Sequence, residues 1–342
     1  MNIKSEVFDP ANLSLDAVRT KHRELAGPII RTPLTLLASP AVAKRLASNQ
    51  VYLKLECYQH TGTFKARGAL SVANAIPERD RIKGITAASA GNHAIAAAWA
   101  ARQLGMSAKV VMQTTANPFR VAMAQEQGAE IIMKEGGIAA IGEAERLSRD
   151  EERTFIHPFE GFYTTLGAAG VGLEIINALP DLEAAVVSVG GGGLISGVAA
   201  GIKLVNPNCE IYGVEPEGAD SVSKSLAAGK PVTLDKVDTI ADSLGPPFSL
   251  PFGLSVIRQF VDDVVTITDD EILAGLVVLQ EEGKLAVEPA AGAAMAAALG
   301  PLRERLQGKR TAILICGANI DAETYTTLHE RGQPHVAALM AD

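Results

Sequence analysis

The chain has 342 residues, 47% of them hydrophobic and 20% charged, which is enough material for one large α/β unit or for two domains. This composition excludes a small disulfide scaffold, a fibre and a disordered chain. The net charge of -8 argues against a nucleic acid as partner, because affinity for a phosphate backbone comes largely from clustered Lys and Arg, so we expect a small-molecule ligand.

From residue 51 onward, short β-branched runs alternate with Ala-rich stretches at the spacing of βα units. That alternation predicts the α/β class with parallel sheets. Most of the runs are continuously apolar, as strands covered on both faces should be. The predicted strands span residues 51–56, 84–88, 108–112, 130–133, 184–189, 210–215, 263–267 and 311–316.

Helical stretches follow most of the predicted strands. Residues 92–104 and 117–127 are two examples, and each is followed by a glycine, a natural helix stop. The loop over residues 241–253 contains three prolines, too many for a helix or a central strand. We expect this loop to form a rim of the binding site.

The run of βα units between Phe64 and His157 is self-contained, and the sequence on either side of it reads as parts of one larger sheet. We therefore predict a small α/β domain, residues 64–157, inserted into a large domain, residues 1–63 and 158–342. Ligands of α/β proteins bind at the carboxyl ends of strands. The site is expected between the two domains.

Cysteine usage and hydropathy predict a cytoplasmic protein. Cys57, Cys209 and Cys316 lie far apart and lack the spacing of zinc ligands. The first ten residues, MNIKSEVFDP, carry two acidic side chains where a secretory signal needs a basic end and an apolar run. The apolar stretch over residues 290–302 is shorter than a membrane helix. We expect reduced thiols, no export signal and no membrane partner.

A run of four glycines is the strongest local motif. In SVGGGGLISG, a predicted strand is followed by Gly190, Gly191, Gly192, Gly193 and a helix, and such a backbone can form a concave nest of N–H groups that binds phosphate. A tight turn needing glycine for steric reasons explains one or two glycines better than four. The dinucleotide fingerprint does not fit, because its two possible frames place Ile195 or Ser196 where glycine is required.

The segment HTGTFKARGAL places Lys65 after the apolar Phe64 at the start of a helix. Partial desolvation there favours the neutral, nucleophilic amine, which suits a lysine that forms an imine. The alternative is a solvated surface lysine, the usual state of this residue type. The case for Lys65 therefore depends on its combination with the other segments.

In AASAGNHA, a strand ends at a turn that carries Ser89, Gly91, Asn92 and His93 before a helix begins. Small residues and free N–H groups at a helix start can bind a carboxylate, and Asn92 can donate to a ring oxygen. The alternative is that Ser89 or Asn92 is a plain N-cap.

In ILICGANID, a buried strand ends at Cys316, which by itself predicts core packing. The remaining histidines offer no paired ligand spacing, and we interpret them as structural: His22, His157, His329 and His335.

At these segments the chain resembles the fold-type II pyridoxal-phosphate enzymes, and within them the threonine/serine ammonia-lyase and serine racemase branch. The resemblance implies pyridoxal 5'-phosphate as cofactor, bound between two parallel-sheet α/β domains, an amino-acid substrate and a homodimer. The matching segments keep the same order over nearly the whole length: RTPL, HTGTFKARGA, TAASAGNHA, VGGGGLISG, GVEPEGAD, TIADSLG, VDDVVTITDDEI, KLAVEPAAGA and ICGAN.

The resemblance also implies roles for single residues. Lys65 matches the lysine that forms the imine with the cofactor and acts as base for the α-proton. Phe64 matches the residue packed on the cofactor ring, Asn92 the partner of the ring's 3-hydroxyl, and Cys316 stands where the family usually has a serine near the pyridine nitrogen. Gly190 to Gly193 match the phosphate loop. The turn that binds the substrate carboxylate is Ser89, Ala90, Gly91, Asn92 and His93.

The reaction implied by the resemblance is dehydration of L-threonine or L-serine to a 2-oxo acid and ammonia. Ala90 replaces the serine that the racemase uses as a base on the opposite face, which disfavours racemisation. A racemase, or a lyase acting on phenylserine or hydroxyaspartate, remains open. Two other functions fit the sequence less well. A non-catalytic binding module would not need Lys65, and a nicotinamide oxidoreductase with Glu215 as its acidic residue would need the glycine fingerprint that this chain lacks.

The resemblance leaves a divalent cation doubtful. The family's cation site would use Glu215, the carbonyl of Ala219 and a carboxylate that is replaced by Ser221, although Asp220 is a neighbouring substitute. We expect no resident metal.

Ser243 stands where many relatives have a glycine beside the ring. The chain ends soon after Cys316, so we expect no C-terminal regulatory domain.

Overall fold

Two β-sheets with helices packed around them form the part of the chain that the computed structural model describes, residues 9–341. The residues used to exclude a secretory signal lie mostly outside this range. The strands are β1 (Leu34–Leu36), β2 (Val51–Leu55), β3 (Ile85–Ala88), β4 (Ala108–Gln113), β5 (Ala129–Lys134), β6 (Thr154–Phe155), β7 (Ala184–Ser188), β8 (Glu210–Pro216), β9 (Asp263–Ile267) and β10 (Thr311–Ile315).

The helices follow the strands in the alternating order predicted from the sequence. They are α1 (Leu15–Leu25), α2 (Pro40–Arg45), α3 (Lys65–Ala75), α4 (Asn92–Gln103), α5 (Pro118–Glu126), α6 (Gly137–Asp150), α7 (Phe162–Ala178), α8 (Gly193–Lys203), α9 (Ser221–Ala228), α10 (Pro251–Phe260), α11 (Asp269–Glu281), α12 (Pro289–Leu299), α13 (Arg303–Leu306) and α14 (Ala322–Met340). Within residues 9–341, no helix combines the length and hydropathy needed to span a bilayer.

The larger sheet has six strands in the order β1-β2-β10-β7-β8-β9. Its central strands pair in parallel, and β1 alone of the described strands pairs antiparallel, with β2. All residues of β7 and β10 are buried, because helices cover both faces of the sheet. The α/β class with parallel sheets is confirmed.

The smaller sheet has four parallel strands in the order β5-β4-β3-β6. The chain forms it after leaving the larger sheet at the end of β2 and before returning to that sheet at β7. This order agrees with an inserted unit, and the limits given above, 64–157, stay a prediction.

The Pro-rich loop is only partly irregular. Residues 242–244 form a single 3-10 turn, and Pro251 begins α10. The prediction that residues 241–253 contain no helix is therefore wrong at the end of the segment. Proline is tolerated at the first position of a helix because its missing N–H would have no partner there.

Candidate active site

A cavity of about 1000 Å³ lies between the two sheets, at the carboxyl ends of β3, β4, β7 and β10. The loop from Asp242 to Phe248 forms part of its wall, as the sequence predicted for a rim. The cavity brings together every residue for which the sequence predicted a catalytic, cofactor or substrate role: Phe64, Lys65, Ser89, Ala90, Gly91, Asn92, His93, Gly190, Gly191, Gly192, Gly193 and Cys316.

Lys65 is the first residue of α3 and reaches into this cavity. Its ammonium donates to the carbonyl of Pro158 at 2.7 Å and lies 5.0 Å from the centroid of the Phe64 ring. Removal from bulk water lowers the pKa of Lys65 to about 8, against the smaller opposing effects of Cys316 and Glu288. A substantial fraction of the amine is therefore neutral near physiological pH.

The glycine run forms the turn between β7 and α8. Gly192 has φ +92°, a conformation that favours glycine. A Cβ on Gly191 would lie 2.4 Å from the Phe159 ring, and one on Gly193 would lie 2.5 Å from the Phe159 carbonyl oxygen. The backbone can fold this way only without side chains, and it leaves N–H groups at the start of α8 available for an anion.

The turn between β3 and α4 is organised by side chains. Ser89 Oγ accepts from the Gly91 N–H at 3.1 Å. The N-cap of α4 is Gly91, and Asn92 is the first helical residue, so neither Ser89 nor Asn92 is a plain N-cap. Asn92 Nδ2 instead donates to the Glu288 carboxylate at 2.9 Å, and its Oδ1 accepts from Asn319 Nδ2 at 2.8 Å.

Cys316 lies at the end of β10 with its thiol buried. Burial raises the pKa of this thiol well above its usual value, so the sulfur keeps its proton. The next residue, Gly317, has no room for a side chain, because a Cβ there would lie 2.6 Å from Thr63 and 2.8 Å from Glu288. The neutral thiol is thus held at the inner wall of the cavity.

Two charged residues of the cavity were not predicted from the sequence. Glu288 precedes α12 and is buried, and burial raises its pKa to about 7 although Arg120 acts in the opposite direction. Arg120 lies on α5 and reaches the larger sheet, where its Nε donates to the Asn319 carbonyl at 3.1 Å and its guanidinium pairs with Asp242. The segment KLAVEPAAGA contained Glu288, but no local pattern marks its pairing with Arg120.

Comparison with known proteins identifies the family. The model of the pyridoxal-phosphate dependent enzymes matches residues 25–317. The chain belongs to this family. It is 45% identical over 275 residues to a phenylserine dehydratase from Ralstonia pickettii, covering 80% of this chain and 84% of that protein. It is 36% identical to an L-threonine ammonia-lyase from Thermotoga maritima, covering 94% and 79%.

Solved structures agree with this assignment. The structure of maize serine racemase superimposes with a TM-score of 0.87 at 32% identity, covering 94% of this chain and 98% of that chain. The protein is therefore a pyridoxal-phosphate enzyme of the branch that contains β-hydroxy amino acid lyases and racemases.

The residues of the cavity fit this cofactor. A phosphate requires an anion-binding backbone, and the glycine turn is closed to side chains by Phe159. An aldehyde requires a partly neutral amine, which the lowered pKa of Lys65 supplies. Both groups line the same cavity.

Two histidines near this site have structural hydrogen bonds. Burial lowers the pKa of His93 to about 3, so its Nε2 stays in contact with the Ile156 carbonyl at 2.8 Å as a neutral donor. Burial also lowers the pKa of His157 to about 4, and its Nδ1 accepts from the backbone N–H of Glu160 at 3.0 Å. Both imidazoles are therefore uncharged at neutral pH.

The residues around Glu215 do not fit a divalent cation. Its Oε1 accepts from Val222 N at 2.8 Å, and its Oε2 accepts from Ser223 N at 2.7 Å and Ser223 Oγ at 2.6 Å. Asp220, the candidate substitute ligand, pairs with Lys224 at 2.9 Å. Within residues 9–341, no three His, Cys, Asp or Glu side chains are grouped to hold a metal. Hydrogen bonds from the start of α9 thus occupy both carboxylate oxygens of Glu215, which a cation would need as ligands.

Proposed function

We propose that the protein is an ammonia-lyase that dehydrates β-hydroxy α-amino acids bearing a large apolar side chain, the class to which phenylserine belongs. The net reaction yields a 2-oxo acid and ammonia, and the water lost from the substrate is taken up again when ammonia is released. L-Threonine and L-serine are weaker substrates in this proposal. The homodimer implied by the resemblance and the cytoplasmic location predicted from cysteine usage and hydropathy stay predictions.

Lys65 is the base in this reaction. Its neutral amine accepts the α-proton, which the lowered pKa makes possible near neutral pH. When bound, pyridoxal phosphate supplies an electron sink for the charge that develops at the α-carbon. We assign its phosphate to the glycine turn, its 3-oxygen to the Asn92 amide and its ring nitrogen to the Cys316 thiol.

The other side chains of the cavity bind and orient the substrate and the cofactor ring. We assign the substrate carboxylate to the turn from Ser89 to His93, which combines small side chains with the start of α4. Cys316 stays neutral because burial raises its pKa, so it hydrogen-bonds the ring nitrogen without the charge that a carboxylate would bring. Ala90 offers a methyl group where a second proton donor would be needed for inversion. Elimination is therefore favoured over racemisation.

An apolar wall of the cavity is the observation that carries the choice of substrate. From α6, beside the smaller sheet, it includes Ile138, a residue that is 92% exposed. From the rim loop it includes Val237, Pro246 and Phe248. An aryl group that covers Ile138 removes apolar surface from water, which stabilises the bound state, whereas the single methyl of threonine covers less of it. The similarity to a phenylserine dehydratase supports the same choice.

The test compares substrates and one pair of variants. Ammonia release is measured with phenylserine, L-threonine and L-serine for the unmodified protein, Ile138→Asp and the control Ile82→Asp, which alters an isoleucine that is 88% exposed outside the cavity. We expect kcat/KM for phenylserine to be the highest and to fall about 10- to 100-fold in Ile138→Asp. Values for L-serine should change little, and Ile82→Asp should behave like the unmodified protein.

Each part of the proposal has its own contrary outcome. Higher kcat/KM for L-threonine than for phenylserine would overturn the substrate class and leave the dehydratase standing. Chiral chromatography of the L-serine reaction distinguishes a lyase from a racemase. Comparable yields of D-serine and pyruvate would show a racemase, and absence of ammonia with all β-hydroxy amino acids would overturn the lyase.

A further inference from the structure

Arg120 joins the two sheets across the cavity. It belongs to α5, beside the smaller sheet, and its contacts lie on segments that connect the helices and strands around the larger one. Its Nε donates to the Asn319 carbonyl at 3.1 Å, its guanidinium pairs with Asp242, and its NH2 group lies 3.8 Å from Glu288 Oε2. The Arg120 side chain is buried, with only 8% of it exposed. Such a position is unusual for a charged side chain without a function or a partner.

Glu288 depends on this arginine for its charge. Its carboxylate is buried, and Arg120 and Lys65 are the cations that oppose the effect of burial. Asp242 acts against ionisation, and Cys316 faces the carboxylate as a neutral thiol. Because Lys65 is itself partly neutral, Arg120 is the permanent charge of the set.

Glu288 in turn fixes the orientation of the Asn92 amide. Asn92 Nδ2 lies 2.9 Å from both Glu288 oxygens, while Asn92 Oδ1 accepts from Asn319 Nδ2 at 2.8 Å. An ionised Glu288 accepts only, so the NH2 group must point toward it and the oxygen toward Asn319. The second hydrogen of that NH2 group remains for a partner at the cavity, where Ser243 Oγ lies at 3.3 Å.

We propose that Arg120 is a positioning residue for the cofactor: it favours the ionised form of Glu288, which holds the Asn92 amide with its N–H facing the cavity. The proposal rests on the role given above to Asn92 and is independent of the substrate. Asn319 contacts both residues, because its backbone carbonyl accepts from Arg120 and its side-chain amide donates to Asn92.

The experiment is a double-mutant cycle on cofactor binding. Apo-protein is titrated with pyridoxal phosphate for the unmodified chain, Arg120→Gln, Glu288→Gln and the double variant, and the absorbance of the bound cofactor is followed against pH. We expect Arg120→Gln to weaken cofactor affinity about tenfold or more, because it leaves a buried carboxylate without its cation. The double variant should bind no more weakly than Arg120→Gln alone.

The pH dependence separates positioning from a general structural effect. Loss of the cation should move the absorbance transition of Arg120→Gln to higher pH, and Glu288→Gln should remove that transition. Arg120→Lys keeps a charge and should restore most of the affinity. The control is Arg146→Gln, which removes an arginine from an exposed ion pair on α6 and should leave binding and spectrum unchanged.

The contrary results are specific. Additive losses in the cycle would show that Arg120 and Glu288 act independently, and an unshifted absorbance transition in Arg120→Gln would show that the arginine does not control the carboxylate. If Arg120→Gln weakens cofactor binding as much in an Asn92→Ala background as in the unmodified chain, the effect does not pass through Asn92. Any of these would overturn the proposal.

Discussion

Two clusters of charged and polar side chains differ in how completely their buried charges are paired. The framework cluster is Lys54, Glu56, Arg67 and Glu174, which lies between β2, α3 and α7. The cavity cluster is Asn92, Arg120, Asp242 and Glu288.

In the framework cluster, two cations meet two anions. Arg67 donates to Glu56 at 2.8 Å and to Glu174 at 2.8 Å, and Lys54 donates to Glu174 at 2.6 Å. This pairing outweighs burial for Glu174, whose pKa is lowered, and the pKa of Arg67 is raised. The cluster fixes α3, and with it the helix start that carries Lys65.

In the cavity cluster, burial outweighs pairing. The pKa of Glu288 is raised to about 7, although Arg120 lies 3.8 Å away. Fully paired buried charges serve the framework, whereas an incompletely paired one beside a cavity is typical of a group that awaits a ligand. The following predictions test that distinction.

The largest effect is expected in the framework cluster. Arg67→Met leaves two buried carboxylates without their main donor and should lower the free energy of unfolding by about 3–5 kcal/mol. Urea unfolding of the apo-protein measures this, with Arg146→Met on the surface as the control that should change little. A loss no greater than that of the control would show that the framework cluster is not a stabilising unit.

The cavity cluster should behave in the opposite way. The pKa of Glu288, about 7 against an ordinary 4.5, means that folding favours the protonated form. Stability of the apo-protein should therefore fall as pH rises through this window, by on the order of 3 kcal/mol. Glu288→Gln should reduce this slope, leaving the part that Glu215 contributes through its own pKa of about 7, and should be more stable than the unmodified protein at pH 8.

Glu174→Gln provides the contrast, because its lowered pKa means that the ionised form stabilises the fold. It should destabilise the apo-protein at pH 8. Thermal unfolding from pH 3 to pH 8 measures both variants. The stabilisation by ionised Glu174 should be lost below about pH 4.5, whereas that by protonated Glu288 should be lost as pH rises toward 7, and slopes of the same sign for the two carboxyl groups would contradict the comparison.

A third prediction concerns Lys65, the other poorly solvated charge of the cavity. With a pKa of about 8, its neutral fraction rises about tenfold between pH 7 and 9 and then levels off. The rate at which apo-protein takes up pyridoxal phosphate covalently should follow this fraction. Stopped-flow absorbance measures the rate, and a rise that continues beyond pH 10 would show that Lys65 titrates like a solvated lysine.

The smallest effect is expected at Glu215, a buried carboxylate outside both clusters. Its oxygens accept hydrogen bonds from the start of α9, so chelator treatment followed by magnesium or calcium should leave activity and melting temperature unchanged. A loss of activity or stability that the metal restores would show that Glu215 and its neighbours bind a cation.

The cavity residues that lie in local motifs could be predicted from the sequence, whereas residues that act only through long-range pairing could not. Lys65 and the glycine turn belong to segments in which neighbouring residues define the chemistry, and the structure brings them to one cavity. Arg120 and Glu288 are far apart in the chain, and their pairing exists only after both sheets have formed. The strands β1 and β6 were missed because three and two residues are too few to show a period.

The two passages of the chain between the sheets meet at the cofactor site. Lys65 follows the first passage, Phe159 lies on the second, and the hydrogen bond from Lys65 to Pro158 connects them. If the smaller sheet rotated about these two connections, residues far from them would be displaced more than residues close to them.

Phe159 and Lys65 lie at these connections and would hardly move. Ile138 follows β5, the strand at the far edge of the smaller sheet, and would travel furthest. Such a rotation would widen the cleft at Ile138 while leaving the residues assigned to the cofactor nearly in place.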